Sequence, residues 1–73
     1  MPPRAVPFRE VQRKLETAGF SVTSQRGSHV KFAKQTANGI RTAIVPRHRE
    51  IARGTLGSII RQAGLTPEDF DRL

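Results

Sequence analysis

The tetrad Arg26-Gly27-Ser28-His29 carries a side chain that could do acid–base chemistry. Histidine can be neutral near neutral pH and accept a proton, and in RNA the relevant proton is that of the ribose 2′-hydroxyl. Once that proton is removed, the 2′ oxygen can attack the adjacent phosphorus, which cuts the strand without a metal and leaves a cyclic phosphate. Cations such as Arg26 and Lys31 would stabilise the charge that builds on the phosphate. The tetrad therefore suggests general-base cleavage of RNA.

The spacing alone does not make His29 a catalyst, because a lone exposed histidine on a strand more often has no catalytic role. The second histidine, His48, could be a complementary general acid, a phosphate contact or a solvated residue, and the last two roles are favoured. A metal site on the two histidines is disfavoured, because Glu50 is the only carboxylate near either in the sequence and hard metals need several oxygen ligands. We therefore expect no cofactor.

The positive charge of the chain lies in its centre. The 73 residues include 13 Lys and Arg against 6 Asp and Glu, a formal net charge of +7. Residues 20–64 contain eight basic residues and a single acid, Glu50, so this part alone accounts for the net charge. Such a single-sign region favours nucleic acid as the partner. The chain has four Phe and no Trp or Tyr, and three of the four belong to the predicted core, so the contacts should be to phosphate and ribose rather than to stacked bases.

Length and composition exclude several classes of protein. A chain of 73 residues has room for one domain, which we place at residues 1–73. The absence of cysteine excludes disulfides, cysteine-ligated zinc and a thiol nucleophile. The longest apolar run is far below the roughly 20 residues that span a bilayer. Residues 1–4 lack the apolar stretch of a secretory signal, so we expect a cytoplasmic protein.

The elements that must position the tetrad follow from the hydrophobic pattern. Apolar residues recur every three or four positions over residues 7–18, which predicts a helix. Alternation predicts strands over residues 20–25, 28–34 and 40–45, the last two joined by a turn at Asn38-Gly39. In the second strand Val30 shares a face with the core, so His29 should point away from the helices.

The other two strands carry less clear patterns. In the first, Phe20 and Val22 alternate with polar residues, which predicts a half-buried strand. In the third, the register stays open, with inward-facing residues that are either Ile40 and Ile44 or Arg41, Ala43 and Val45.

A basic loop over residues 46–53 leads into a second amphipathic helix, for which Thr55 is a plausible N-cap. Thr66-Pro67 begins a short third helix.

The order of the elements predicts an α+β two-layer sandwich, α-β-β-β-α with a three-stranded antiparallel sheet and a short C-terminal helix, in which one sheet face is uncovered. This is the layout of the double-stranded-RNA-binding fold, where such a loop and helix start contact backbone phosphates. Arg47, Arg49 and Arg53 occupy that place.

Four short motifs resemble, in order and spacing, the HicA family of toxins over residues 8–65. They are Leu15 with Ala18-Gly19-Phe20, Gly27-Ser28-His29 with Phe32, Val45-Pro46-Arg47-His48 with Glu50-Ile51, and Gly54-Thr55-Leu56 with Ile59 and Ala63-Gly64-Leu65. The resemblance implies a metal-independent mRNA interferase of a type II toxin-antitoxin pair, with a double-stranded-RNA-binding-like fold, held inactive by a HicB antitoxin. It also implies that His29 is catalytic. Arg26 stands where the family often has Lys.

The candidate site therefore combines the catalytic His29 with residues expected to contact RNA. These are Arg26, Gly27, Ser28, Lys31, Lys34, Arg41, Arg47, His48, Arg49 and Arg53. Two other readings stay open: a non-catalytic module that binds RNA or DNA, and a protein-interaction subunit whose basic face docks an acidic partner.

Overall fold

The elements of the computed structural model follow the predicted order, and the model describes residues 6–73. They are α1 (Phe8–Thr17), β1 (Ser21–Arg26), β2 (His29–Thr36), β3 (Gly39–Pro46), α2 (Arg53–Gln62) and α3 (Pro67–Asp71). The three strands form an antiparallel sheet in the order β1-β2-β3. The predicted α+β fold is confirmed. The residues that bear on a secretory signal, 1–4, lie outside the described part of the chain.

The apolar stripes of α1 and α2 are buried on one side of the sheet. At its centre Phe32 of β2 is fully buried, and its ring centroid lies 6.2 Å from that of Phe8 at the start of α1. Burial of a large apolar side chain contributes about 1.5–3 kcal/mol, so this cluster holds the two layers together. Its members are Phe8, Val11, Leu15, Phe20, Val30, Phe32, Val45, Ile51, Ile59, Ile60, Ala63 and Phe70.

The structure settles the register of β3. Val45 pairs with Val30 and Ala43 pairs with Phe32, and all four side chains are buried. Partners across antiparallel strands share a face, so these two apolar pairs line the helix side of the sheet. Ile40 and Ile44 point the other way and remain 69% and 40% exposed.

The expectation that β1 is half buried is wrong. All six of its residues, Ser21–Arg26, are exposed, although Val22 pairs with the buried Phe32. The reason is the placement of the helices: α2 packs against β3, the other edge strand, whereas no residue of β1 belongs to the core cluster. A β-bulge between Val22 and Ser24 also interrupts the alternation.

The starts of the last two helices differ from each other. Thr55 is not the N-cap of α2, because that helix begins earlier, at Arg53, with Ala52 as its N-cap. Ile51 forms a β-bridge to Val6, so only one residue separates this bridge from the helix. The predicted cap of α3 is confirmed, since Thr66 forms a capping box there.

Among residues 6–73, no helix is both long and apolar enough to cross a membrane.

Candidate functional site

His29 is the first residue of β2 and stands on the uncovered face of the sheet. It pairs with Arg26 on β1 and with Pro46 on β3, and its side chain is exposed. The next residue, Val30, is buried under the helices. Because paired residues share a face, Arg26 lies on the same face as His29, with Cα atoms about 5 Å apart. An imidazole and a guanidinium thus stand side by side in solvent.

The β-bulge in β1 determines which residue stands opposite His29. Val22 pairs with Phe32, but after the bulge Ser24 pairs with Lys31. If Thr23 instead paired with Lys31 in a regular ladder, the register would bring Gln25 opposite His29. The Thr23 hydroxyl donates a hydrogen bond to the carbonyl of Lys31 at 3.2 Å, which ties the bulge to β2. The bulge therefore gives the histidine a cationic neighbour.

Gly27 and Ser28 form the two-residue turn between β1 and β2. Gly27 has φ +58°, and Ser28 has no positive φ, as in the type II′ turns that suit hairpins. The Gln25 side chain donates to the carbonyl of Gly27 at 3.0 Å. The backbone N–H of Arg47 donates to the carbonyl of Ser28. Both sides of the turn are held, so His29 extends from a fixed backbone.

Lys31 completes the cationic group of the uncovered face. It lies two residues beyond His29 on β2, is exposed, and pairs with Ser24 on one side and Ile44 on the other. Together Arg26, His29 and Lys31 form what we call the histidine face. An RNA strand laid across it would meet an imidazole that can accept a proton and two cations that can contact phosphate oxygens.

The basic loop after β3 lies on a different part of the surface from His29. Arg47, His48 and Arg49 line a shallow cleft of about 630 Å³, together with Pro7, Phe8 and Arg9 at the start of α1. We call this the basic cleft. Arg53 stands nearby in the chain as the first residue of α2 and is exposed. The histidine face and the basic cleft share one end of the sheet, because Arg47 directly follows Pro46, the partner of His29.

The guanidinium of Arg47 is engaged within the protein. Its Cζ lies 5.3 Å from the ring centroid of Phe8, and its Nη1 donates to Oε1 of Gln25 at 3.1 Å. His48 is fixed through its backbone, since its carbonyl accepts a hydrogen bond from the N–H of Phe8 at 3.2 Å. The side chain of His48 lines the cleft.

Lys34 and Arg41 do not join either group. They pair with each other across β2 and β3, five residues or roughly 17 Å along β2 from His29, and on the helix side of the sheet. Lys34 Nζ lies 5.8 Å from the ring centroid of Phe20. Arg41 Nη1 donates to the carbonyl of Gln62 at the end of α2, at 3.2 Å, where a cation also complements the helix dipole.

Arg9 is a cleft residue that the sequence did not single out. It lies within the predicted first helix but is not one of its apolar residues, and the structure shows it exposed and lining the cleft. Its meeting with the basic loop depends on the bridge between Val6 and Ile51, with N···O distances of 3.2 and 2.7 Å. No sequence pattern predicts a single β-bridge of this kind, so the position of Arg9 in the cleft could not be predicted from the sequence.

Within residues 6–73, no three or more histidine, aspartate or glutamate side chains are grouped so that they could share a metal ion.

Comparison with known proteins gives a family for this chain. A family model described as the HicA toxin of bacterial toxin-antitoxin matches residues 8–65. The match begins with α1 and includes all three strands, the basic loop and α2. A search of curated proteins found no match. From the family match, which covers most of its length, the chain belongs to the HicA family, the toxins of bacterial toxin-antitoxin systems.

Proposed function

We propose that this toxin is an endoribonuclease that cuts mRNA and so inhibits translation, with His29 as the general base. The observation that carries the proposal is the exposed His29 on the uncovered face with Arg26 directly opposite it. Membership of the HicA family supports the toxin role. Residues 1–73 would act as one domain, in the cytoplasm, where mRNA is translated.

The reaction needs no metal ion in this proposal. A ring nitrogen of His29 takes the proton of a ribose 2′-hydroxyl, and the 2′ oxygen forms a bond to the adjacent phosphorus. The bond from phosphorus to the 5′ oxygen of the next nucleotide breaks, and that oxygen takes a proton from solvent. The products are a 2′,3′-cyclic phosphate and a 5′-hydroxyl. Arg26 and Lys31 stabilise the charge on the phosphate oxygens.

The other cations hold the RNA backbone. Arg49 and Arg53 are exposed around the basic end of the sheet and can reach phosphates directly. Gly27 and Ser28 contribute an exposed turn beside His29. Arg47 and His48 form part of the cleft wall. Lys34 and Arg41 lie farther away with engaged side chains, so their part in binding is long-range attraction of the strand.

The partner in this proposal is an antitoxin of the HicB type that covers the histidine face. Beside that face β3 exposes Ile44, the strand partner of Lys31. An antitoxin with an apolar patch rimmed by carboxylates would complement both this isoleucine and the cations. Occupation of that surface would exclude RNA from His29.

The decisive experiment compares the unaltered protein with His29→Ala in EDTA, on labelled single-stranded RNA. General-base catalysis typically contributes about 10² to 10⁴ in rate, so the substitution should lower cleavage by at least about 10²-fold. The matched control is Gln35→Ala, an exposed residue at the other end of β2, which should cut normally. Cleavage that survives in His29→Ala, or that requires Mg²⁺, would contradict the proposal.

A second candidate function is RNA binding without cleavage. The basic cleft favours it, because three arginines collect there and none of them needs His29 in order to bind phosphate. That function predicts salt-sensitive binding, no products in the same assay, and no effect of His29→Ala on affinity.

A further inference from the structure

The basic cleft has the form of a binding site in its own right. Its lining includes three guanidinium groups and one imidazole, from Arg9, Arg47, His48 and Arg49, beside the ring of Phe8. All four of the polar side chains are exposed. A volume of about 630 Å³ is in the range of small-molecule pockets and exceeds what a single inorganic anion needs.

The two walls of the cleft are fixed relative to each other. One wall is the first turn of α1, and the other is the loop after β3. The bridge between Val6 and Ile51 and the hydrogen bond from Phe8 N–H to the carbonyl of His48 join the two backbones. The stacking of Arg47 on Phe8 adds a side-chain link. Arg9 and Arg49 are therefore presented by a preorganised frame, which lowers the entropy lost on binding.

The charge of the cleft selects an anion. No carboxylate lines it among the described residues, and the acids nearest in the sequence are Glu10 on α1 and Glu50 in the loop. Guanidinium groups bind phosphate with paired, charge-assisted hydrogen bonds. A strand with repeated phosphates matches several such donors better than an isolated anion does.

We propose that the basic cleft is a second RNA subsite, in which Arg9 and Arg49 hold phosphates of the strand that flanks the bond presented to His29. The inference rests on the proposed function only for its statement that the substrate is RNA. The position of the cleft supports it, because the loop that lines the cleft begins one residue after Pro46, the strand partner of His29. One strand can therefore contact both surfaces.

The test measures binding apart from cleavage, with all proteins carrying His29→Ala so that the RNA stays intact. Fluorescence anisotropy with a labelled single-stranded RNA dodecamer gives Kd over a series of salt concentrations in EDTA. Combined Arg9→Ala and Arg49→Ala should raise Kd roughly tenfold. Each lost phosphate contact on a single strand lowers the salt slope by about 0.7, so the slope should fall by about 1.4.

The matched control removes the same charge elsewhere, through Arg13→Ala and Arg61→Ala, two exposed helix residues outside the cleft. It should change Kd by less than about twofold. Arg9→Lys with Arg49→Lys should keep most of the affinity and the slope, since lysine also contacts phosphate. Thermal unfolding followed by circular dichroism verifies that each variant is folded.

Equal losses in the cleft and control variants would overturn the subsite, because they would mean that only net charge matters. Unchanged binding in the cleft variant would overturn it as well and leave the cleft to an acidic protein partner. The failure of the proposed function has a separate signature. If the unaltered protein cuts no RNA while the cleft variant still binds weakly, the nuclease proposal fails and the subsite stands.

Discussion

At the scale of single residues, two side chains at the same end of the sheet have opposite relations to their surroundings. His29 is exposed, and strand alternation in the sequence was enough to place it on the uncovered face. Arg47 had the appearance of a free cation in a loop, yet it stacks on Phe8 and donates to Gln25. Those contacts join segments that are far apart in the sequence, so local pattern could not predict them.

Arg47→Lys should therefore destabilise the fold although the charge is kept. Lysine lacks the planar group that stacks on a ring while donating sideways, so both contacts weaken. We expect the free energy of unfolding to fall by about 1 kcal/mol. Urea denaturation followed by circular dichroism measures it. Arg49→Lys in the same loop is the control and should change the free energy by less than about 0.5 kcal/mol; a similar loss in both variants would mean that Arg47 is not specially engaged.

At the scale of elements, the bulge in β1 is the device that aligns the site. It accommodates Thr23 while the residues on either side stay paired, Val22 with Phe32 and Arg26 with His29. Bulges at sheet edges commonly redirect side chains in this way. The sequence predicted three strands with ends correct to within two residues, because alternation and the turn residues at Gly27 and Asn38-Gly39 are local signals. It predicted neither the bulge nor the exposure of β1, which depend on a strand's neighbours.

Deletion of Thr23 should keep the site intact, because the strand becomes regular and Arg26 still pairs with His29. Since misplacing a catalytic group by about 1 Å can cost about 10²-fold in rate, we expect the deletion variant to cut RNA without a loss of that order. NMR contacts between Arg26 and His29 check the pairing, and their loss in the Thr23 deletion would refute this role of the bulge.

At the scale of the whole molecule, most of the candidate functional residues gather at one end. The start of α1, the turn between β1 and β2, the end of β3 and the start of α2 gather at one end, where the histidine face and the basic cleft lie. Lys34 and Arg41 lie toward the other end. The charge count treated all the central cations as one region. Only the folded topology divides them, because strand partners far apart in the sequence decide which cations become neighbours.

The comparison of Lys31→Gln with Lys34→Gln tests, with two lysines of one strand, whether RNA binding is confined to the end of the sheet that carries His29. Both variants lose one charge. Lys31 stands on the histidine face, so its loss should weaken RNA binding about three- to tenfold and lower the salt slope by about 0.7. Lys34 acts only at long range, so its loss should change Kd by less than about twofold. Anisotropy titrations in the His29→Ala background measure both, and equal effects would mean that the strand runs the full length of the sheet.

The hairpin tip at Asn38-Gly39 is a suitable place to attach a label, because it lies far from the end that carries the histidine face and the basic cleft. β2 has eight residues, so the tip lies on the order of 25 Å from His29. Asn38 and Gly39 are exposed, and a Cβ added at Gly39 would meet no neighbouring atom within 4 Å. A fluorophore or affinity tag attached at Asn38 would report on the toxin, or immobilise it, and would leave free the opposite end, where we propose that RNA and the antitoxin bind.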